Sequence, residues 1–101
     1  MNMDGVQPAV RDLVALGSWP QSEDAELELV DRVERLVLSI VRPVSDEDAR
    51  ELVKLFGPDD FFGLASTLVH SIETAPGWPL RDALIQTDNQ WVEYLRRRSS
   101  I

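Results

Sequence analysis

The sequence predicts an all-α fold, a compact single-domain bundle of five or six helices that covers residues 1–101. Apolar residues recur at spacings of three and four along most of the chain, and helix-capping or helix-breaking residues flank each run. No convincing stretch of alternating apolar and polar residues competes with this pattern. A chain of 101 residues, 44% of them hydrophobic, can bury one modest core.

Two helices are predicted in the first 41 residues. The first covers Pro8–Leu16, because proline suits a first helical turn and Gly17 can end the helix. The second and longest is expected over Glu23–Val41, with Ser22 as its N-cap. Its apolar residues recur at helical spacing, with Leu27 on the apolar face and Leu38 widening it, so the helix should pack closely along its second half.

Two further helices are predicted in the middle of the chain. Ser45 begins the first of them, which runs to about Phe56, and Asp48 three positions later completes a capping box. An aspartate at the start of Asp59–Thr74 is expected to cap the second. The core should centre on this helix and on Glu23–Val41.

The last part of the chain begins with a turn over residues 76–79. Pro79 can begin a short helix that reaches about Gln86. Residues 87–90, Thr-Asp-Asn-Gln, match a capping box for a final helix. That helix carries three consecutive arginines at its C-terminal end, where the helix macrodipole favours positive charge.

Charge and composition restrict the possible ligands. The chain has 18 acidic and 10 basic residues, and its net charge of -8 opposes binding to nucleic acid or anionic lipid. A basic protein is a more favourable partner. No run approaches the roughly 18 apolar residues of a membrane-spanning helix, and no signal peptide is visible. The absence of cysteine fits a reducing compartment, so we expect a cytoplasmic protein.

The sequence contains few residues that could act together in catalysis. His70 is the only histidine, and Ser66, Glu73 and Thr74 stand one turn from it on the same predicted helix. Residues one turn apart on a regular helix rarely converge on a substrate, and His70 with Glu73 supplies only two of the ligands a metal needs. We therefore predict no catalytic residue, no cofactor and no metal. A small metal-dependent or His70-dependent enzyme is the least favoured alternative.

Several aromatic residues lie outside the predicted apolar stripes. Trp19 and Trp78 fall in loops, where tryptophan either anchors an interface or plugs the end of a bundle, and we favour plugging. Phe62 lies off the main stripe of its predicted helix. Gly63 appears inside the same helix, at a cost of about 1 kcal/mol relative to alanine, and is expected to permit close packing.

The candidate protein-binding residues are mostly acidic. Acids concentrate on the longest predicted helix and at the start of the next, and they form either a solvated surface or a negative patch that steers a basic protein. Glu28 stands four residues before Arg32, the spacing of a helical ion pair. Asp31 and Arg35 share that spacing. The candidates are Glu26, Glu28, Asp31, Asp46, Glu47, Glu51, Asp59, Asp60, Phe62 and Trp78.

One segment carries a resemblance to known proteins. The run LFGPDDFFGLA at residues 55–65, continued through residues 68–70 and 72–79, resembles a segment of small helical immunity proteins from bacterial polymorphic toxin systems. The resemblance implies that the chain binds a cognate toxin domain and blocks its active site or a nearby exosite. A general regulatory or scaffold domain is the nearest alternative. The residues predict neither the identity of the partner nor an oligomeric state.

Overall fold

Five α-helices and two single 3-10 turns make up the computed structural model, which describes residues 5–85 and 89–99. No strand occurs in those ranges, so the prediction of an all-α bundle is confirmed. In chain order the elements are α1 (Pro8–Leu16), a turn at Ser22–Asp24, α2 (Leu27–Leu38), α3 (Asp46–Val53), α4 (Leu64–Ile72), a turn at Arg81–Leu84 and α5 (Gln90–Ser99). None of the helices in the described part of the chain is both long and apolar enough to span a lipid bilayer.

The core lies mainly between α3 and α4. Helix α4 buries six of its nine residues and α3 four of its eight, whereas α2 buries only Val33 and Val37. Leu68, at the middle of α4, is fully buried. The prediction that the core centres on the second and fourth helices is therefore confirmed for α4 and wrong for α2. Helix α2 packs against α1 and α4 from the outside.

Asp48 joins the first turns of α1 and α3. Its carboxylate is 3% exposed and accepts the backbone N–H of Gln7 at 2.9 Å and the side-chain amide of Gln7 at 3.0 Å. The same carboxylate accepts the N–H of Ser45 at 3.1 Å, while Ser45 Oγ accepts the N–H of Asp48 at 2.9 Å. The predicted capping box is confirmed, and it also holds the N-cap residue of α1.

The side chain of Gln7 also determines where α2 ends. Its Oε1 accepts the N–H of Val41 at 2.8 Å, and its Nε2 donates to the carbonyl of Val41 at 3.1 Å. Because these backbone groups of Val41 bond to Gln7, they do not continue the helical ladder. Helix α2 ends at Leu38, and the predicted extension to Val41 is wrong.

Asp59 determines where α2 begins. Its Oδ2 accepts the N–H of Ser22 at 3.0 Å, and this contact holds Ser22–Asp24 as a separate 3-10 turn. Ala25 then adopts an extended conformation with ψ 134°, which interrupts any continuous helix. Ser22 is therefore not the N-cap of the long helix, and α2 starts at Leu27.

Helix α4 also starts later than predicted. Asp59 Oδ1 accepts the N–H of Phe61 at 3.0 Å, and Phe61 and Phe62 have φ values of 46° and 58°. These left-handed residues cannot belong to a right-handed helix, so α4 begins at Leu64 after Gly63, whose φ is 84°. A Cβ on Gly63 would meet nothing within 4 Å, so this glycine serves the backbone turn and not close packing.

Trp19 closes one end of the core. It is 3% exposed, its backbone N–H donates to the carbonyl of Leu55 at 2.9 Å, and its ring stacks on Phe61 at 5.1 Å between centroids. A Cβ on Gly57 would overlap the carbonyl oxygen of Trp19, so only glycine permits this approach. The expectation that Trp19 plugs the bundle is confirmed, and Trp78 is half-buried against the same core.

The final helix is held by Asn89. Its Oδ1 accepts the N–H of Trp91 at 2.8 Å, while its Nδ2 donates to the carbonyls of Phe56 and Gly57, both at 3.0 Å. The 3-10 turn at Arg81–Leu84 stands where a short helix was predicted. The predicted capping box begins at Thr87, and the predicted short helix ends at Gln86; both residues lie outside the described part of the chain.

Replacing Asp48 by alanine should lower the free energy of unfolding by about 3 kcal/mol, because it removes a helix cap and leaves N–H groups of Gln7 and Ser45 without their buried acceptor. Urea denaturation measures the change. The control is Asp46→Ala, since Asp46 accepts a single N–H, from Gly77. A loss for Asp48→Ala no larger than that of the control would contradict the central role of Asp48.

The pKa of Asp59 lies below its usual value, chiefly because the carboxylate accepts the backbone N–H of Ser22, with a further contribution from the N–H of Phe61. A depressed folded-state pKa stabilises the protein above the unfolded-state pKa, and this stabilisation is lost as pH falls through the folded-state pKa. We expect Asp59→Asn to lower the unfolding midpoint at about pH 7 and to lower it much less at about pH 2, because the wild-type contribution is lost only below the usual carboxyl pKa of about 3.9. An equal deficit at both pH values would contradict this assignment.

Candidate functional site: the outer face of helix α2

Helix α2 has one packed face and one outward face. Val33 and Val37 point into the core, and Leu29, Val30 and Leu36 are half-buried beside them. On the opposite side, four exposed residues follow one another at spacings of four, three and four, which places them on a single line along the helix. We call this line the α2 stripe; its members are Leu27, Asp31, Glu34 and Leu38.

Leucines mark both ends of the α2 stripe. Leu27 is 81% exposed and Leu38 is 72% exposed. The prediction that both contribute to a packed apolar face is therefore wrong. The reason is that α2 rests on α1 and α4 through one side only, so its opposite side meets solvent. Singly exposed leucines are common on protein surfaces, so Leu27 and Leu38 point to an interface only together with the charged residues between them.

The side chains of the two acids in the middle of the stripe make no polar contact that stabilises the fold. Asp31 and Glu34 are exposed, and neither side chain forms an ion pair or hydrogen bond within residues 5–85 and 89–99. Glu28, which is also exposed, flanks the stripe. Its predicted pair with Arg32 does not form, and neither does that of Asp31 with Arg35. On an exposed surface such pairs gain too little to hold two long side chains together.

The acids of α3 have different roles. Asp46 accepts the N–H of Gly77 at 2.8 Å, and Glu51 pairs with Lys54 at 3.2 Å. Glu47 is exposed in the first turn, where the helix macrodipole favours a negative charge, and its side chain lies against Gly5. These acids therefore contribute to the fold or to the start of α3, whereas Asp31 and Glu34 in the α2 stripe do not.

The remaining predicted candidates are spread over other elements. Glu26 is the exposed N-cap residue of α2, where its carbonyl accepts the N–H of Val30. Asp59 is half-buried and bonded to the backbone, and Asp60 is exposed beside it. Trp78 is half-buried against the core. None of these residues belongs to the stripe.

Phe62 is the most exposed aromatic residue of the described chain, with 58% of its surface accessible. Its left-handed backbone directs the ring outward, and the ring meets Phe61 edge to face at 5.5 Å between centroids. Left-handed conformations cost a non-glycine residue about 1–3 kcal/mol and occur most often at functional sites. Phe62 is therefore a second candidate contact, separate from α2.

The structure also shows the surroundings of His70. Its ring is exposed, and its Nδ1 lies 3.7 Å from Glu73 Oε1. Both oxygens of Glu73 also accept hydrogen bonds from Arg98, whose pKa is raised chiefly by that bond. The hydroxyl of Thr74 accepts the N–H of Val44 and donates to the carbonyl of Ser71. In the described ranges, no group of three or more histidine, cysteine or acidic side chains could hold a metal.

A half-open groove of about 570 Å³ lies between α3, the turn at Arg81–Leu84 and α5. Arg50 Nε donates to Asp82 Oδ2 at 3.0 Å beside it. This hydrogen bond, more than any other cause, raises the pKa of Arg50 and lowers the pKa of Asp82. The charged groups of the groove therefore satisfy one another, and its buried lining residues belong to the core.

Sequence reasoning found Asp31 but missed the stripe to which it belongs. Leu27 and Leu38 were assigned to the core because they are apolar, although their spacing from Asp31 and Glu34 was already visible. A helical projection separates the line through these four residues from the line through Val33 and Val37. What it cannot show is which line faces the rest of the molecule.

Comparison of this chain with protein-family models, with curated proteins and with solved structures gave no match. The function has to be argued from the residues and their geometry.

Proposed function

We propose that this chain is a non-catalytic protein-binding domain of the immunity type, which binds a basic toxin domain and neutralises it. The α2 stripe carries the proposal. It combines two exposed leucines with two acids whose side chains form no ion pair or hydrogen bond within the described part of the chain. Apolar residues contribute affinity when a partner covers them, and exposed acids contribute complementarity to a basic surface.

The charge of the whole chain acts in the same direction as the stripe. A net charge of -8 attracts a basic partner and repels nucleic acid. At physiological ionic strength this attraction reaches about 8 Å, so it accelerates the encounter and leaves the final affinity to close contacts. The net charge of the chain thus accelerates the first encounter with the partner, and the α2 stripe provides the close contacts that follow.

The choice of a toxin as the partner rests on the resemblance of the segment at residues 55–79 to immunity proteins. Many toxins of such systems are nucleases, and a groove that binds nucleic acid is basic. An acidic helical surface would compete with nucleic acid for that groove. The mechanism is stoichiometric inhibition, in which bound inhibitor denies the substrate access.

A general regulatory or scaffold domain could use the same stripe. Coexpression with a candidate toxin domain, taken from a gene that neighbours the gene of this chain, separates the two functions. Under the proposal, cells that make both proteins survive and the two proteins purify as a complex. Cell death in the presence of stable, folded chain would reject the immunity function.

Reversing both central acids, Asp31→Lys with Glu34→Lys, should slow association with the toxin domain about tenfold at low salt, because steering acts through the association rate. The salt dependence of that rate should also weaken. Stopped-flow or surface binding measurements at low and high salt give both rates. Thermal stability should change little, since neither side chain forms an ion pair or hydrogen bond with another described residue.

The matched control reverses Asp12 and Asp60, two exposed acids outside α2, and changes the net charge by the same amount. It should slow association much less than the α2 variant does. Equal slowing would show that only net charge matters and that the α2 stripe is not the contact surface.

His70→Gln should leave neutralisation of the toxin unchanged, because the proposed function needs a binding surface and no proton transfer. His70 is exposed, so its loss should not unfold the chain. Cell survival on coexpression measures the outcome, with the unfolding midpoint as the control for stability. A folded variant that no longer protects the cell would instead indicate that His70 has a functional role.

A further inference from the structure

We infer that the α2 stripe binds a single helix of the partner, one that presents an apolar, a basic, a basic and an apolar residue at spacings of four, three and four. The inference rests on the proposed function and makes it more specific. It names the secondary structure of the bound segment, the chemistry of its four contact residues and their register.

The spacing of the stripe is the first argument. Alternating steps of four and three residues bring side chains to one nearly straight seam, as in the repeating apolar positions of coiled coils. Leu27, Asp31, Glu34 and Leu38 follow these steps for about 16 Å of helix. A partner helix that crosses at a shallow angle of about 20° can follow a seam of this length. An extended segment rises about 3.3 Å per residue and alternates its side chains, so it cannot match the same four positions as consecutive contacts.

The order of residues along the seam determines the chemistry of the partner. Leu27 and Leu38 each offer an exposed apolar side chain at an end of the seam. Asp31 and Glu34 between them need positive groups, because burying an unpaired carboxylate is costly. The complementary helix therefore carries leucine-like residues opposite the two ends of the seam and lysine or arginine between them.

A second copy of this chain is a poor occupant of the stripe. Because the spacings are four, three and four, the seam reads the same in both directions. Parallel pairing of two copies would place Asp31 on Asp31 and Glu34 on Glu34, and antiparallel pairing would place Asp31 on Glu34. Both arrangements bring like charges together. The same symmetry lets a basic partner helix bind in either direction.

The stripe is ordered before any partner arrives. Val33 and Val37 anchor α2 to the core from the opposite side, and Gln7 holds the backbone of Val41 just beyond its C-terminal end. Binding therefore does not require α2 to fold, which lowers the entropic cost of association. A seam of only 12 residues buries less than a standard interface, so an isolated helix should bind weakly.

The test uses two synthetic peptides of about 20 residues, long enough to form a helix. The first presents leucine, lysine, lysine and leucine at spacings of four, three and four on an alanine-rich background. The second has the same composition and helicity, but its two leucines are moved to the opposite face. Each is titrated into the ¹⁵N-labelled full chain, and chemical-shift changes give the location and the dissociation constant.

We expect the in-register peptide to shift resonances along the outer face of α2 and to bind about tenfold more tightly than the out-of-register peptide. Asp31→Lys with Glu34→Lys should abolish this preference, whereas Asp12→Lys with Asp60→Lys should preserve it. Equal affinity for the two peptides, or shifts spread over the acidic surface, would overturn the inference.

The same variants distinguish this inference from the proposed function. If the peptides bind alike while the α2 variant still loses neutralisation of the toxin, the helical occupant is wrong and the proposed function stands. If the in-register peptide is preferred while the α2 variant still neutralises the toxin, the helical occupant stands and the proposed role of α2 in inhibition is rejected.

Discussion

The carboxylate of Asp48 is the interaction on which the arrangement of the first three helices depends. It is almost fully buried and accepts N–H groups from the start of α1 and the start of α3, so two helix ends share one acceptor. Gln7, held by this carboxylate, also binds both backbone groups of Val41 and sets the limit of α2. A buried charge is tolerated when hydrogen bonds replace its hydration, and here those bonds connect segments about 40 residues apart in the chain.

Asp59 has the matching role at the other end of α2. It binds Ser22 and Phe61, so α2 starts late and α4 starts after a left-handed turn. Helix α2 is consequently a short element that rests on α1 and α4 through one face. Its outward face needs no neighbour for stability. The α2 stripe is a direct result of these two polar anchors.

Five acids of this chain differ in what their side-chain oxygens bind. Asp46, Asp48 and Asp59 accept backbone N–H groups and hold the fold, whereas the side chains of Asp31 and Glu34 form no ion pair or hydrogen bond in the described ranges. This difference supports the proposed function, because the side chains of Asp31 and Glu34 are available to bind a partner. A carboxylate that accepts hydrogen bonds within the fold must give them up to bind a partner, and this costs free energy. A carboxylate without such bonds can bind a partner without that cost.

Helical periodicity and caps are local properties, so the helical class, the first helix, the capping box of α3 and most of the core of α4 could be predicted from residue order alone. The two ends of α2 could not, since Asp59 and Gln7 reach Ser22 and Val41 across more than 30 residues. The tertiary structure also decided that Phe61 and Phe62 form a left-handed turn, in which Phe61 stacks on Trp19. For the candidate site, residue types placed Asp31 and Glu28 on the surface. Which side of α2 faces the core depends on packing against α1 and α4, and that packing made Leu27 and Leu38 surface residues.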